Sequence, residues 1–293
     1  MEQTRSVDHV VLPTADLATA RRRLETLGFT VAPDAQHPFG TENACVFFQD
    51  DTYLEPLAVA QREMCEDAAL KGNVFLQRDL AYRFRRGQEG FSALVVASDN
   101  AALDHDDFAT AGISAGDNLS FSRLFEAPDG SKADGSFELA FAADLRAPDV
   151  FFFACERKNV PAVDKTALQA HANGVTGIRQ IVMSEQNPSD FQYLLQQIVR
   201  QRDVNAHSFG IELKVQNADI VALNAKGMEG FFGVTGGTHA RGLRLRGIVF
   251  GVTDLAALEA RLKREGITHS EIGGRLVVPE AEGQGAFFAF ETR

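Results

Sequence analysis

Residues 6–30 recur near the far end of the chain, and this internal repeat restricts the fold more than any other feature. In the stretch SVDHVVLPTADLATARRRLETLGFT, Val7–Pro13 is a β-branched run with His9 in its middle, and Thr14 is placed to cap a helix. Leu17, Ala20, Leu24 and Leu27 then follow at helical spacing, and Gly28 stands where a helix ends in a left-handed residue. Displaced by 238 positions, Asp16-Leu17, Leu24 and Gly28-Phe29-Thr30 fall on Asp254-Leu255, Leu262 and Gly266-Ile267-Thr268. A displacement of 84 gives a weaker echo at Ser98, Phe108, Gly112 and Ile113, and a further copy starts at Thr176 and runs through Asn187-Pro188 to Ile198. Self-similarity on this scale dictates a fold built from stacked copies of one supersecondary unit.

Each copy continues into extended runs. The first has Cys45–Phe48 and Thr52–Leu57, split by Asp50-Asp51; the second has Ser136–Ala142 and Val150–Cys155. The third has Phe209–Val215 and Ile220–Leu223, and the fourth Arg275–Val278 and Ala286–Glu291. The expected unit is therefore βαβββ, used four times in an α+β fold. Between the first two copies lies a long polar connection, residues 58–90, of the kind that forms a lid or an interface. We expect an N-terminal domain over residues 1–156, a crossover linker over 157–174 and a C-terminal domain over 175–293, each holding two units.

Four βαβββ units resemble the vicinal oxygen chelate superfamily, in which paired units curl a sheet around a cleft. The stretch HPFGTENACVFFQDDTYLEPLA, His37–Ala58, is similar to the glyoxalase-like branch, with a Gly-Thr-x-Asn step ahead of a Tyr-Leu-Glu strand. The resemblance implies ligands for a divalent metal from the middle of a unit's first strand and from its last strand, where imidazole and carboxylate leave a position open for a chelating substrate. Carried over residue by residue, it assigns metal-ligand places to His9, Glu55 and Glu156, with Cys155 the alternative register for Glu156. The corresponding place in the second copy is Ala93, in the third Gln180 (Arg179 if the register slips by one) and in the fourth Gly247, while Glu291 keeps a ligand type. The C-terminal half thus lacks the two His and one Glu of extradiol dioxygenases.

From the residues alone, His9 is either a ligand or a satisfied core histidine. A strand Glu is costly to bury unpaired, so Glu55 beside His9 reads as a ligand pair or as a His–carboxylate hydrogen bond. Asp8 belongs to the opposite face of the strand by its period of two and is expected to be solvated. His171, in the step HANG, is a candidate base or ligand at a cleft mouth or a turn residue, since Asn173-Gly174 suits a turn. Arg123 is a candidate clamp for a substrate carboxylate, with a surface salt bridge as the alternative, and Tyr53 is a second candidate substrate contact. Glu55 and Glu156 are the candidate proton-transfer groups. His105, His207, His239 and His269 have no partner at metal spacing, GGTHARG lacks a phosphate-loop signature, and Gly90–Leu94 lacks the last Gly of a nucleophile elbow.

Composition narrows the class. The 293 residues are 45% hydrophobic, enough for a large core, and the net charge of −11 argues against nucleic acid or an anionic membrane as partner. Cys45, Cys65 and Cys155 form an odd set without CxxC spacing, and two of them sit in apolar runs. Met1–Pro13 has no apolar run long enough for a signal peptide, and no segment approaches bilayer length, so a cytoplasmic protein is expected. The leading expectation is an isomerase or lyase using a divalent metal on a small oxygen-rich metabolite in the N-terminal cleft. In that reading the C-terminal half is a structural or dimerising partner, with a homodimer as the expected assembly. The alternatives are a metal-free binder of a hydrophobic or aromatic small molecule, suited by 23 Phe and no Trp, and an extradiol-type ring-cleaving dioxygenase.

Overall fold

The structure, a computed structural model, describes residues 4–126, 132–160, 164–236 and 241–292. His239 and the step Pro128-Asp129-Gly130, whose composition suits a turn, lie outside these residues. The first unit comprises β1 (Val7–Pro13), α1 (Leu17–Leu27), β2 (Ala35–Gln36), β3 (Thr41–Asn43), β4 (Val46–Phe47) and β5 (Tyr53–Val59). Two helices follow, α2 (Arg62–Leu70) and α3 (Val74–Arg86). The second unit comprises β6 (Ala93–Ser98), α4 (Ala101–Thr110), β7 (Leu119–Glu126), β8 (Lys132–Ala142) and β9 (Phe151–Lys158). The third has β10 (Val175–Ser184), α5 (Gln192–Val199), β11 (Asn205–His207), β12 (Gly210–Lys214) and β13 (Asp219–Leu223), then α6 (Ala225–Phe232). The fourth has β14 (Arg244–Val252), α7 (Leu255–Arg264), β15 (Ser270–Ile272), β16 (Arg275–Val278) and β17 (Phe287–Thr292).

This is the α+β architecture of four βαβββ units, paired two by two. The first sheet runs β2-β3-β5-β1-β6-β9-β8-β7, with β4 also on β5, and the second runs β11-β12-β13-β10-β14-β17-β16-β15. In both, the first strands of two units lie antiparallel at the centre and each is flanked in parallel by its unit's last strand. A parallel neighbour needs a crossover, and the unit's helix supplies it. First and last strands are therefore neighbours in every unit.

Local chemistry sets the helix ends. Asp16, not Thr14, caps α1: its carboxylate accepts the Thr19 amide at 2.8 Å, and Asp254 does the same for Ala257 in α7 at 2.9 Å. Thr14 is instead buried, and its hydroxyl donates to the Asp16 carbonyl. Gly28 ends α1 at φ 94°, a left-handed conformation that suits glycine.

One apolar core joins the two halves. It takes Val10, Leu12, Leu54 and Phe152 from the first sheet and Ile178, Ile181, Phe250 and Phe288 from the second, with the apolar stripes of α1, α4, α5 and α7. Phe29, just past α1, meets Phe48 in its own half and Phe250, Phe288 and Phe290 in the other, with ring centres 5.3–6.4 Å apart. The other face of each sheet has its own cluster. In the first sheet it is packed by Cys65, Ala69, Phe75 and Leu76 of α2 and α3, so the long polar connection folds into a helical cover. In the second, Met228 and Phe232 of α6 pack against Val249 and Phe287.

Candidate functional site

The first sheet curls until its two edges meet. His37, in the link between β2 and β3 at one edge, lies 5.7 Å from the ring of Phe121 on β7 at the other, and Phe39 lies 5.4 Å from the same ring. Side chains on the inner face of the curl are thereby brought to one place. Period-two alternation puts Glu55 and Leu57 of β5 inside, with Phe153, Cys155 and Arg157 of β9.

Strand β1 departs from that alternation. Its pairing with β6 slips between Val7 and His9, a bulge that adds one residue and re-aims its neighbours. Asp8 and His9 consequently meet side by side: His9 Nδ1 and Asp8 Oδ1 are 2.5 Å apart. Asp8 is buried, not solvated as the uninterrupted alternation implies. Arg157 donates to both of its oxygens, at 2.6 Å to Oδ1 through one nitrogen.

On its other side, His9 Nε2 stands 3.4 Å from Glu55 Oε2. Asn43 of β3 donates to Glu55 Oε1 at 2.6 Å, and His37 Nε2 lies 3.8 Å from that same oxygen. His37 Nδ1 is held by the Thr41 hydroxyl at 3.0 Å. The Tyr53 ring stacks on His9 at 4.3 Å, Phe153 meets His9 edge-on, and the Phe39 ring stacks on His37 at 5.1 Å. The result is one buried chain, Asp8–His9–Glu55–Asn43, with His37 alongside and the more exposed Arg157 closing it at Asp8.

Its charges follow from burial and partners. Burial alone raises a carboxyl, but the Arg157 guanidinium and the His9 contacts hold Asp8 well below the usual carboxylate range. Burial is likewise overcome at Glu55, where His9, His37 and Asn43 bring it down to about 2. For His9, burial pulls downward and loses to Asp8 and Glu55, so the imidazolium is favoured above its ordinary range. His37 has no such pairing; burial takes it down to about 4, so it is neutral at pH 7. Burial, and then the charge of Asp8, keeps the Tyr53 phenol protonated.

Other expected residues go elsewhere. Glu156 faces the outside of the curl, where it accepts the Ala101 amide at 2.9 Å at the start of α4 and lies 3.4 Å from Lys158. Cys155 takes the inward place at that end of β9. His171 is 3.0 Å from the Thr30 amide, which donates to Nδ1, and its Nε2 is 2.9 Å from the Phe47 carbonyl. It thus ties the crossover to the first unit and is not at the His9 cluster. Arg123 has its guanidinium carbon 5.3 Å from the Phe137 ring, and its charge depresses His37, so it belongs to this inner wall and not to an open surface. In the second sheet, Gly247 faces the Phe287 ring and Glu291 is bound to Arg275 at 2.6 Å.

Asp8, Asn43, His37 and Arg157 were not singled out by sequence reasoning. The bulge hid Asp8 and the curl hid Arg157; His37 and Asn43 stood in the quoted Gly-Thr-x-Asn stretch without an assigned role.

A bound metal is the feature that the fold class suggests. His9 Nε2 and Glu55 are placed as two donors, but no three of His, Cys, Asp and Glu gather as a metal site among the described residues. The two carboxylates already face the two ring nitrogens of the His9 imidazolium, Asp8 at Nδ1 and Glu55 at Nε2, so the cluster satisfies itself electrostatically. The donor set therefore does not fit a three-ligand metal centre.

The curled first sheet and the four βαβββ units are the architecture of the vicinal oxygen chelate superfamily. The chain belongs to the glyoxalase-like domain family, whose sequence profile matches residues 7–199. No curated protein matches it in sequence. Solved structures share its fold at low identity. A hypothetical protein from Staphylococcus aureus superposes with a TM-score of 0.66 at 12% identity, covering 98% of this chain and 99% of that one. A mutant 4-hydroxymandelate synthase from Streptomyces coelicolor gives 0.58 at 11%, covering 100% and 94%. The Mn(II)-bound glyoxalase from Novosphingobium aromaticivorans gives 0.55 at 9%, covering 99% and 82%.

Proposed function

We propose that the protein is a proton-transfer enzyme, an isomerase or lyase acting on a small oxygen-rich metabolite inside the curl of the first sheet. The observation that supports this reading is the buried Asp8–His9–Glu55 chain. Asp8 keeps His9 protonated, so Nε2 carries a proton to offer to a developing oxyanion. Glu55 is ionised and accepts a proton from the carbon beside the carbonyl. A substrate that inserts between them takes over the His9 contact, which removes the interaction holding Glu55 low and makes it a stronger base. Asn43 fixes one oxygen of Glu55, and Arg123 is the cation on the opposite wall for a substrate carboxylate. No step is assigned to a metal.

A second reading, sequestration of an aromatic ligand, is favoured by the Phe39 and Phe121 rings on two sides of His37. Both are tested by incubating the protein in D2O with hydroxyacids, ketones and thioesters and following loss of the proton next to the carbonyl by NMR. We expect one class to exchange, and Glu55→Gln to slow that exchange by about 10²–10⁴. Exchange that survives in Glu55→Gln sinks the acid–base reading; binding with no exchange across the panel moves the assignment to sequestration.

A further inference from the structure

Where the two halves meet, the tip of the turn between β4 and β5 reaches the start of β10 and closes a pocket of about 200 Å³. Gln49, Asp50, Thr176, Gly177 and Arg179 line it. The Gln49 amide donates to the Thr176 carbonyl at 3.1 Å, so the turn is fastened to the strand.

The strand is shaped at this point by two irregularities. Between β10 and β14 the pairing goes from Val175–Val252 to Gly177–Gly251, and from Ile178–Phe250 to Gln180–Val249, so Thr176 and Arg179 are each an extra residue. Extra residues in a bulge are the ones whose side chains leave the regular alternation. The two glycines that face each other across the strands open a notch. A Cβ on Gly177 would stand 2.1 Å from Asp50 Oδ2, and one on Gly251 2.8 Å from Arg179 Nε. An acidic and a basic side chain are thus laid on bare backbone on two sides of one pocket.

These charges do not neutralise each other. No ion pair joins Asp50 to Arg179, and the half-buried Arg179 guanidinium has no hydrogen bond or ion pair among the described residues. The two buried arginines, Arg5 and Arg83, are each paired with a carboxylate, Asp104 and Asp79. Asp50 Oδ1 accepts the Thr52 amide at 3.1 Å and its hydroxyl at 2.6 Å, and the backbone of Ile178 also hydrogen-bonds the carboxylate, which has no cation paired with it among the described residues.

We propose that this pocket binds a small carboxylic acid bearing an ammonium or hydroxyl donor, with its carboxylate on Arg179 and its donor on Asp50. A guanidinium presents two parallel donors that match a carboxylate, and Asp50 rejects a second anion while accepting a donor. The volume suits a molecule of amino-acid size. The site is separate from the His9 cluster, and the inference stands apart from the reaction proposed there.

Calorimetric titration of the full chain with glycine, L-serine, L-alanine, glycolate, lactate and acetate tests it. Saturable binding is expected for at least one amino or hydroxy acid, weaker by about tenfold or more for acetate, which lacks the donor. Arg179→Gln should abolish the heat at an unchanged melting temperature, and Asp50→Asn should weaken binding of the ammonium acids most. With glycine, L-serine and L-alanine, which are not among the substrates proposed for the His9 cluster, Glu55→Gln should titrate as the parent does, which separates this site from the other. The proposal is overturned if no probe binds at millimolar concentration, or if Arg179→Gln and Asp50→Asn both bind as the parent does.

Discussion

Asp8 shows how one residue changes the chemistry of another. It stands 2.5 Å from His9 Nδ1 and is itself held by Arg157. Removing its charge should lower the His9 titration point, because burial then acts against the imidazolium with only Glu55 to oppose it. The same substitution has a stability consequence with a definite sign. A histidine raised in the folded state adds stability below its unfolded value of about 6.5, and loses it as pH rises through the folded value. In Asp8→Asn that alkaline loss should therefore begin at lower pH. Titration of the His9 ring protons by NMR, with melting temperatures across the same range, checks both; an unmoved His9 titration would show that Asp8 does not set its charge.

Elements carry the next level of specificity. Helix α1 depends on the Asp16 cap and on a left-handed Gly28, while its apolar stripe of Leu17, Ala20, Leu24 and Leu27 is buried in the joint core. Loss of the cap leaves an amide of the first turn without its acceptor, so Asp16→Ala should cost about 0.5–2 kcal/mol. Chemical denaturation measures this as a lower midpoint at unchanged slope. Thr14→Ala should not reproduce it through capping, since Thr14 does not accept a first-turn amide. The helical spacing and the C-terminal glycine of α1 were legible in the residues, but the choice between Thr14 and Asp16 was not, because both types cap helices and they lie two positions apart. Strands β2, β3 and β4, of two or three residues each, are too short to show a period.

At the scale of the molecule, the two sheets are fused through Phe29 and its ring contacts in both halves. Replacing a buried Phe by Ala at such a junction removes packing on both sides at once and should cost about 3–5 kcal/mol. Phe29→Ala is thus expected to lower a single melting transition that both halves share; two separated transitions would show that the halves unfold independently. Among the described residues no helix is long and apolar enough to cross a membrane. The family match over residues 7–199 extends past the first sheet into α5, consistent with a core that both halves build together.

That first and last strands adjoin, bringing His9 towards Glu55, was implied only by the resemblance to the vicinal oxygen chelate superfamily; the residues alone determined the repeat, and through it the βαβββ unit and its fourfold use. Periodicity carries this because helices and strands answer to local patterns, which recur wherever the unit recurs. Tertiary structure decided the rest of the site. A one-residue bulge turned Asp8 inward, and alternation along β9 sent Glu156 outside to α4 and Arg157 inside to Asp8. The closing of the curl brought His37 to the opposite edge of the sheet, and two bulges in β10 aimed Arg179 into a pocket shared with the other half. Bulges, curl and the meeting of halves arise from contacts between residues far apart in sequence, and such contacts leave no period to read.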